Sequence, residues 1–161
     1  MPFSIQWVGA EELIRKMDKL PEKAVKVAAE ALYEGAGVMA DTVSRAVQGI
    51  ATEPFHYATG GQKRKPSPEE KAALLNARHG IAKFRYDGTE IRTSIGFQQA
   101  GYADVNGRRK PLGQIANSIA SGTSFMEKQP FLREAFVKGK KAAEAAIEAG
   151  IRKREDELSL E

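Results

Sequence analysis

The side chains that could do chemistry are few in this chain, and their spacing keeps them apart. His56 and His79 stand in unrelated segments and neither belongs to a metal-ligand spacing, which argues against a transition-metal site. There is no cysteine, and that removes a disulfide framework, a thiolate zinc site and a cysteine nucleophile together. No Ser-His-Asp or Ser-Lys arrangement follows from the spacing, and Gly60-Gly61 has no strand before it, so it does not read as a phosphate loop. The acidic pairs Glu11-Glu12 and Glu69-Glu70 fall at helix starts, where negative charge complements the positive end of the helix. The chain is therefore expected to carry no catalytic residue, cofactor or metal.

Positive charge remains. Two basic runs, Lys63-Arg64-Lys65 and Arg108-Arg109-Lys110, both fall in stretches that read as loops. Such runs can neutralise the phosphates of a nucleic acid or meet an acidic protein surface. No helix shows a basic face and no aromatic residue is interleaved with either run, which weighs against nucleic acid; Phe55 and Tyr57, flanking His56, are the nearest aromatics to the first. The formal net charge of +4 permits an acidic partner without demanding one.

The elements that must position these residues follow from hydrophobic spacing. Leu20, Ala24, Val27, Ala31, Leu32, Gly35, Val38, Met39, Val43, Ala46 and Ile50 form one stripe of a long helix. Pro21 and Glu22 suit its first turn, and Gly49 with Pro54 marks its end. Gly35 and Gly37 each cost roughly 1 kcal/mol inside a helix, so a second backbone is expected to come close there. A last helix from Pro130 to about Leu158 carries the small stripe Gly139, Ala142, Ala143, Ala146, the natural partner of the Gly35 region, with Lys138, Lys140 and Lys141 turned away. Before the long helix, Phe3, Ile5 and Trp7 alternate as a strand, and Ala10 to Leu20 reads as a first helix.

Between the long helices the pattern is mixed. Ser67 is a candidate cap for a short helix over Pro68 to about Arg78. Phe84 and Tyr86 before Asp87-Gly88, with Ile91, Thr93, Ile95 and Phe97 alternating after it, predict a β-hairpin with a two-residue turn. Ile115, Ala116, Ile119 and Ala120 make a short apolar segment whose spacing favours a helix. The expected fold is α+β, with long N-terminal and C-terminal helices packed on a small antiparallel sheet built around the hairpin. One domain over residues 1–161 is expected, with mobile loops at about 52–67 and 99–113. No apolar run approaches the roughly 20 residues of a membrane span, and Met1 to Val8 lacks the pattern of a signal peptide, so an intracellular protein without membrane contact is expected.

One resemblance covers nearly the whole chain. Ile115-Ala116-Asn117-Ser118-Ile119-Ala120-Ser121-Gly122-Thr123, then Gln129-Pro130-Phe131-Leu132-Arg133-Glu134-Ala135, resembles the segment of tail-completion or neck proteins of tailed bacteriophages in which an acidic residue, an aromatic and Gly-Thr precede Pro-Phe-Leu-x-x-Ala. Gly9, Glu11, Glu12, Leu13 and the Lys19-Leu20-Pro21 step fit that family's opening. The chain departs where Ala120 replaces the acidic residue and Ser121 the aromatic, and the two basic stretches look like extensions. The resemblance implies a non-catalytic α+β subunit that repeats in a ring, six-fold for preference, in the neck of a virion assembled in the host cytoplasm. Its implied partners are further copies of itself, a tail-terminator or tail-tube protein, a head-completion or connector protein, and DNA in the lumen. Partner binding is expected at Lys63, Arg64, Lys65, Arg108, Arg109, Lys110, Gln129, Pro130 and Phe131, although Pro130-Phe131 serves equally well as a helix start with core anchors. The alternative function is a nucleic-acid-binding accessory protein using the two basic stretches.

Overall fold

The computed structural model describes residues 3–5, 21–77, 80–81, 83–87, 90–97 and 101–155. The helix expected over Ala10 to Leu20, Trp7, His79 and the chain beyond Glu155 lie outside the described residues.

Small residues set the frame. Helix α1 (Pro21–Gln48) buries Ala24, Val27, Ala31, Leu32, Met39, Val43 and Val47, the three-and-four spacing of an amphipathic helix. The last helix, named α4 below, is Phe131–Lys153, and its buried face is Phe131, Ala135, Gly139, Ala143, Ile147, Gly150 and Ile151. The two run antiparallel, with Gly35 against Ala143 and Ile147, Gly139 against Met39 and Thr42, and Gly150 against Ala31. A methyl group at Gly35 would sit 2.8 Å from Ile147 Cδ1 and 3.0 Å from the Ala143 carbonyl oxygen, so the glycine is what allows the crossing. Two expected features of this contact differ. Gly37 has nothing within 4 Å of where a Cβ would stand, and Ala142 is exposed, because the stripe continues through Ala143 and Ile147 instead.

Strand β4 (Ile91–Gly96) is the centre of the sheet. Strand β1 (Phe3–Ile5) pairs antiparallel along one edge, Phe3 opposite Ile95, while β2 (Gly80–Ile81) and β3 (Arg85–Tyr86) share the other. Thr93, Ile95 and Phe97 are buried in alternation, and Ile95 packs with Ala36, Met39 and Ala143 of the helix pair. The β3–β4 turn is wider than predicted. Tyr86 pairs with Ile91, leaving 87–90 between the strands, where a two-residue Asp87-Gly88 turn would have paired Tyr86 with Thr89. The Asp87 carboxylate accepts the Glu90 N–H at 2.8 Å, a side-chain turn that competes with the tighter one.

At the far end of α1 a second layer closes the larger core. It comprises α2 (Pro68–Asn76), the hairpin β5 (Tyr102–Val105) and β6 (Arg108–Pro111), α3 (Leu112–Ser121) and the start of α4. Val43, Val47 and Ile50 meet Leu74, Val105, Leu112, Ile115, Ile119, Met126 and Phe131 there. The apolar segment at 115–120 is thus a helix. The fold class is α+β, with the long helices packed on each other and on the sheet.

Neither stretch predicted as a mobile loop is structureless. Residues 102–111 form the β5–β6 hairpin through Asn106-Gly107, whose φ angles of 51° and 74° are the left-handed pair that a type I′ turn requires. The segment 51–67 is closed on itself by a backbone bond from Glu53 N to Pro66 O and stitched to the chain after α3 by bonds from Arg64 N to Phe125 O and from Glu127 N to Arg64 O. A backbone whose polar groups are paired this way does not need solvent to satisfy them.

Candidate partner-binding site

The basic residues singled out from the sequence divide once they are placed. Arg64 is 4 % exposed and forks onto the Glu70 carboxylate, Nη2 to Oε1 at 2.8 Å and Nη1 to Oε2 at 3.1 Å. It is a structural residue, and its expected role in partner binding is corrected. Glu70 is 2 % exposed and also accepts the Ser67 N–H at 2.9 Å, while Ser67 Oγ accepts the Glu70 N–H. That reciprocal pair is a capping box at the start of α2. Asn106 of the hairpin turn donates from Nδ2 to Glu70 and from its backbone N–H to Glu69, so the hairpin is docked on the same helix end. Burial pushes the Glu70 carboxyl up, but the Arg64 fork, the Ser67 N–H and the charges of Arg64 and Lys110 outweigh it and hold the group below the usual carboxylate range.

Lys63 is exposed, whereas Lys65 is half-buried and its backbone N–H binds Glu53 at 2.6 Å. That bond, ahead of the contact with His56, holds the Glu53 carboxyl below its usual range. The second run is split by the two-residue period of strand β6. Arg109 lies opposite Asp104 and stacks its guanidinium 5.1 Å from the Tyr102 ring on one face, while Arg108 and Lys110 lie opposite Val105 and Ala103 on the other.

That second face borders a groove of about 320 Å³ lined by Phe55, Tyr57, Arg64, Arg108, Lys110 and Phe125, among others. Phe55 and Tyr57 pack edge to face at 5.2 Å, and the Arg64 guanidinium lies 5.1 Å from the Phe55 ring. Tyr57 is 72 %, Phe125 46 % and Phe55 40 % exposed, a concentration of accessible ring surface beside two cations. Neither Arg108 nor Lys110 has a carboxylate bonded to it among the described residues. The aromatics that appeared absent from the basic runs are therefore adjacent to one of them in space. Phe55 and Tyr57 come from the Pro-rich segment and Phe125 from the turn after α3, distances in sequence that conceal the cluster.

The residues of the family-like motif build the scaffold around this groove. Gly122 ends α3 with φ 73°, and Thr123 Oγ1 accepts the N–H groups of Phe125 and Met126, turning Met126 into the core and Phe125 out. Gln129 clamps Ala51 from both sides, Ala51 N–H to Oε1 and Nε2 to Ala51 O, each at 2.9 Å. Pro130 precedes the first turn of α4, and Phe131 is 3 % exposed with its ring against Phe97. Phe131 is thus internal, and the partner-binding role expected of it gives way to the helix-start-and-anchor role, while half-buried Gln129 has its side-chain amide committed to Ala51. These two and Pro130 do border a cleft of about 680 Å³ between α1 and α4.

The groove offers cations and aromatic faces, and the Glu70 carboxylate beneath it is engaged by Arg64, Ser67 and Asn106. Among the described residues no helix is long and apolar enough to cross a membrane. Compared with known proteins, the chain matches no family model, no curated sequence and no solved structure.

Proposed function

We propose that the protein is a structural assembly subunit, a neck or tail-completion protein that joins a tail tube to the head-proximal connector in a phage or phage-like particle. The observation that carries this reading is the groove itself: an exposed cationic and aromatic surface on a rigid support, with every charged group beneath it already paired. Such a surface works by docking and needs no catalytic residue. The resemblance supports the same reading, since Gly122-Thr123 and Gln129-Pro130-Phe131 are the positions that turn Phe125 outward and fix the chain behind it. The proposed partners are neighbouring copies in a ring, six-fold for preference, with the tail-terminator or tail-tube protein on one side and the head-completion or connector protein on the other. An antibody against the purified protein should label the head–tail junction of particles in negative-stain micrographs. Label confined to the soluble fraction of lysates that contain intact particles would rule this assignment out.

A second reading, a nucleic-acid-binding accessory protein, is favoured by the aromatics beside Arg108 and Lys110, because base stacking beside phosphate-neutralising cations is how single strands are held. Anisotropy of a labelled single-stranded oligonucleotide tests it: the reading requires saturable binding that weakens steeply with salt.

A further inference from the structure

The groove lies at the opposite end of α4 from Arg154, just after which the sequence turns acidic. Phe131, the first residue of α4, shares a core with Val105 of the groove wall, whereas Arg154 closes the far end of α4 against Glu30 and Glu34 in the first half of α1. The 23 residues of α4 separate the two ends by about 34 Å at 1.5 Å per residue. Beyond Glu155 the sequence reads Asp156-Glu157-Leu158-Ser159-Leu160-Glu161, three carboxylates and two leucines. Six residues span at most about 20 Å even when fully extended. The segment therefore cannot reach the groove of its own subunit.

Its chemistry nevertheless matches that groove, carboxylates for Arg108 and Lys110 and leucines for Phe55, Tyr57 and Phe125. A nucleic acid fits less well. A single strand brings a charge with every nucleotide and is held along a continuous basic track, whereas here Arg108 and Lys110 stand two residues apart on one four-residue strand, beside Glu69, which accepts from the hairpin turn. We propose that the segment Asp156–Glu161 of one copy docks in the groove of a second copy. The inference rests on reading the groove as a protein-docking surface and is independent of the particle to which the protein belongs. The contact joins different surfaces on the two partners, so it propagates head to tail and closes into a ring when the rotation between subunits allows. A six-residue segment buries far less than the roughly 1,200 Å² of a standard interface, so a single contact is weak and a closed ring gains from having every contact made at once.

Sedimentation velocity of the full chain at low salt tests this with two charge-reversed variants, Arg108→Glu with Lys110→Glu in the groove, and Asp156→Lys with Glu157→Lys and Glu161→Lys in the tail. The native protein should self-associate with concentration, and association should weaken at least about tenfold when salt is raised from about 50 mM to 500 mM. Each variant alone should remain monomeric. An equimolar mixture should regain association, because the native groove of one protein meets the native tail of the other and the reversed groove meets the reversed tail, so both head-to-tail contacts are again complementary in charge. Arg108→Gln with Lys110→Gln, checked for a native melting temperature, replaces the groove variant if that misfolds. A native chain that stays monomeric, variants that associate like the native chain, or a mixture that does not associate each overturn the proposal. So does an oligonucleotide that binds the native groove while the tail variant still associates normally. Failure of the antibody label at the particle junction would leave all of these results unchanged, so the two readings fail separately.

Discussion

Two arginine clamps brace the elements packed on α1, and they differ in what surrounds them. In the first half of α1, Arg154 reaches from the end of α4 to Glu30 at 2.9 Å and Glu34 at 2.6 Å, with both carboxylates exposed. Beside the C-terminal end of α1, where Lys71 bonds the carbonyls of Gln48 and Ile50, Arg64 and Glu70 are almost wholly buried. The same guanidinium–carboxylate chemistry therefore does two jobs. In water the pair is screened and its members are replaceable; in the core neither partner can be left alone, since an uncompensated buried charge costs far more than the pair gains.

The largest effect is expected at the buried clamp. Glu70→Gln leaves Arg64 charged and without a counter-ion, and should cost about 3 to 5 kcal/mol in a denaturant melt, little changed by salt. Adding Arg64→Leu to Glu70→Gln should recover most of that loss, because the glutamine oxygen still accepts the Ser67 N–H while no charge stays buried. A double variant as unstable as the single one would mean that the charge itself is needed to seat the hairpin. The pH dependence has a definite sign. The Glu70 carboxyl titrates below the usual carboxylate range in the fold, so its contribution is complete above the unfolded pKa and is lost as pH falls through the lower folded one. Acid melts of the native chain should show that loss, and melts of the double variant should be flatter in the same window.

Between the clamps lies the helix crossing, and its two inner glycines sharpen the contrast. Gly35→Leu should overpack the crossing and cost about 1 to 3 kcal/mol, since the Ala143 carbonyl and Ile147 leave no room. Gly37→Ala, two residues away with open space around it, should instead stabilise by about 0.5 to 1 kcal/mol through helix propensity. Thermal melts of both variants separate packing from propensity. If Gly35→Leu melted like the native chain, the helices would have to cross elsewhere.

This part of the molecule was legible in the sequence because periodicity reports burial directly. The stripe of α1, the glycine-containing face of α4, the Ser67 cap and the alternation along β4 all follow from residue types at fixed offsets. The site was not legible in that way. Asn106-Gly107 is a strong hairpin signal, but it sits between Tyr-Ala-Asp-Val and Arg-Arg-Lys-Pro, which have too few apolar residues to read as strands. The local run around Arg64 likewise shows charge and not burial, because what buries it is a carboxylate on α2 and a bridge to Met126. Both features depend on partners that no local window contains. The hairpin displays Arg108 and Lys110 on an otherwise unpaired two-stranded sheet, where positive charge also keeps an exposed edge from pairing with other strands.

The smallest effect should come from the exposed clamp. Arg154 holds the Glu34 carboxyl below its usual range through a direct hydrogen bond, and Glu34 with Glu30 raises the Arg154 guanidinium in turn, so the interaction is real at low salt. Water and ions compete for all three groups, however, and the guanidinium also donates to the Gly150 carbonyl, a bond that solvent can replace at a helix end. Arg154→Gln should therefore lower the melting temperature slightly at low salt and not at all near 1 M, the opposite of the salt-insensitive loss expected for Glu70→Gln. The low-salt difference should also narrow as pH falls through the lowered pKa of Glu34, since protonation removes the charge that Arg154 meets. A loss that persisted unchanged at high salt would mean that this clamp holds α4 by geometry rather than charge, and the contrast between the two clamps would disappear.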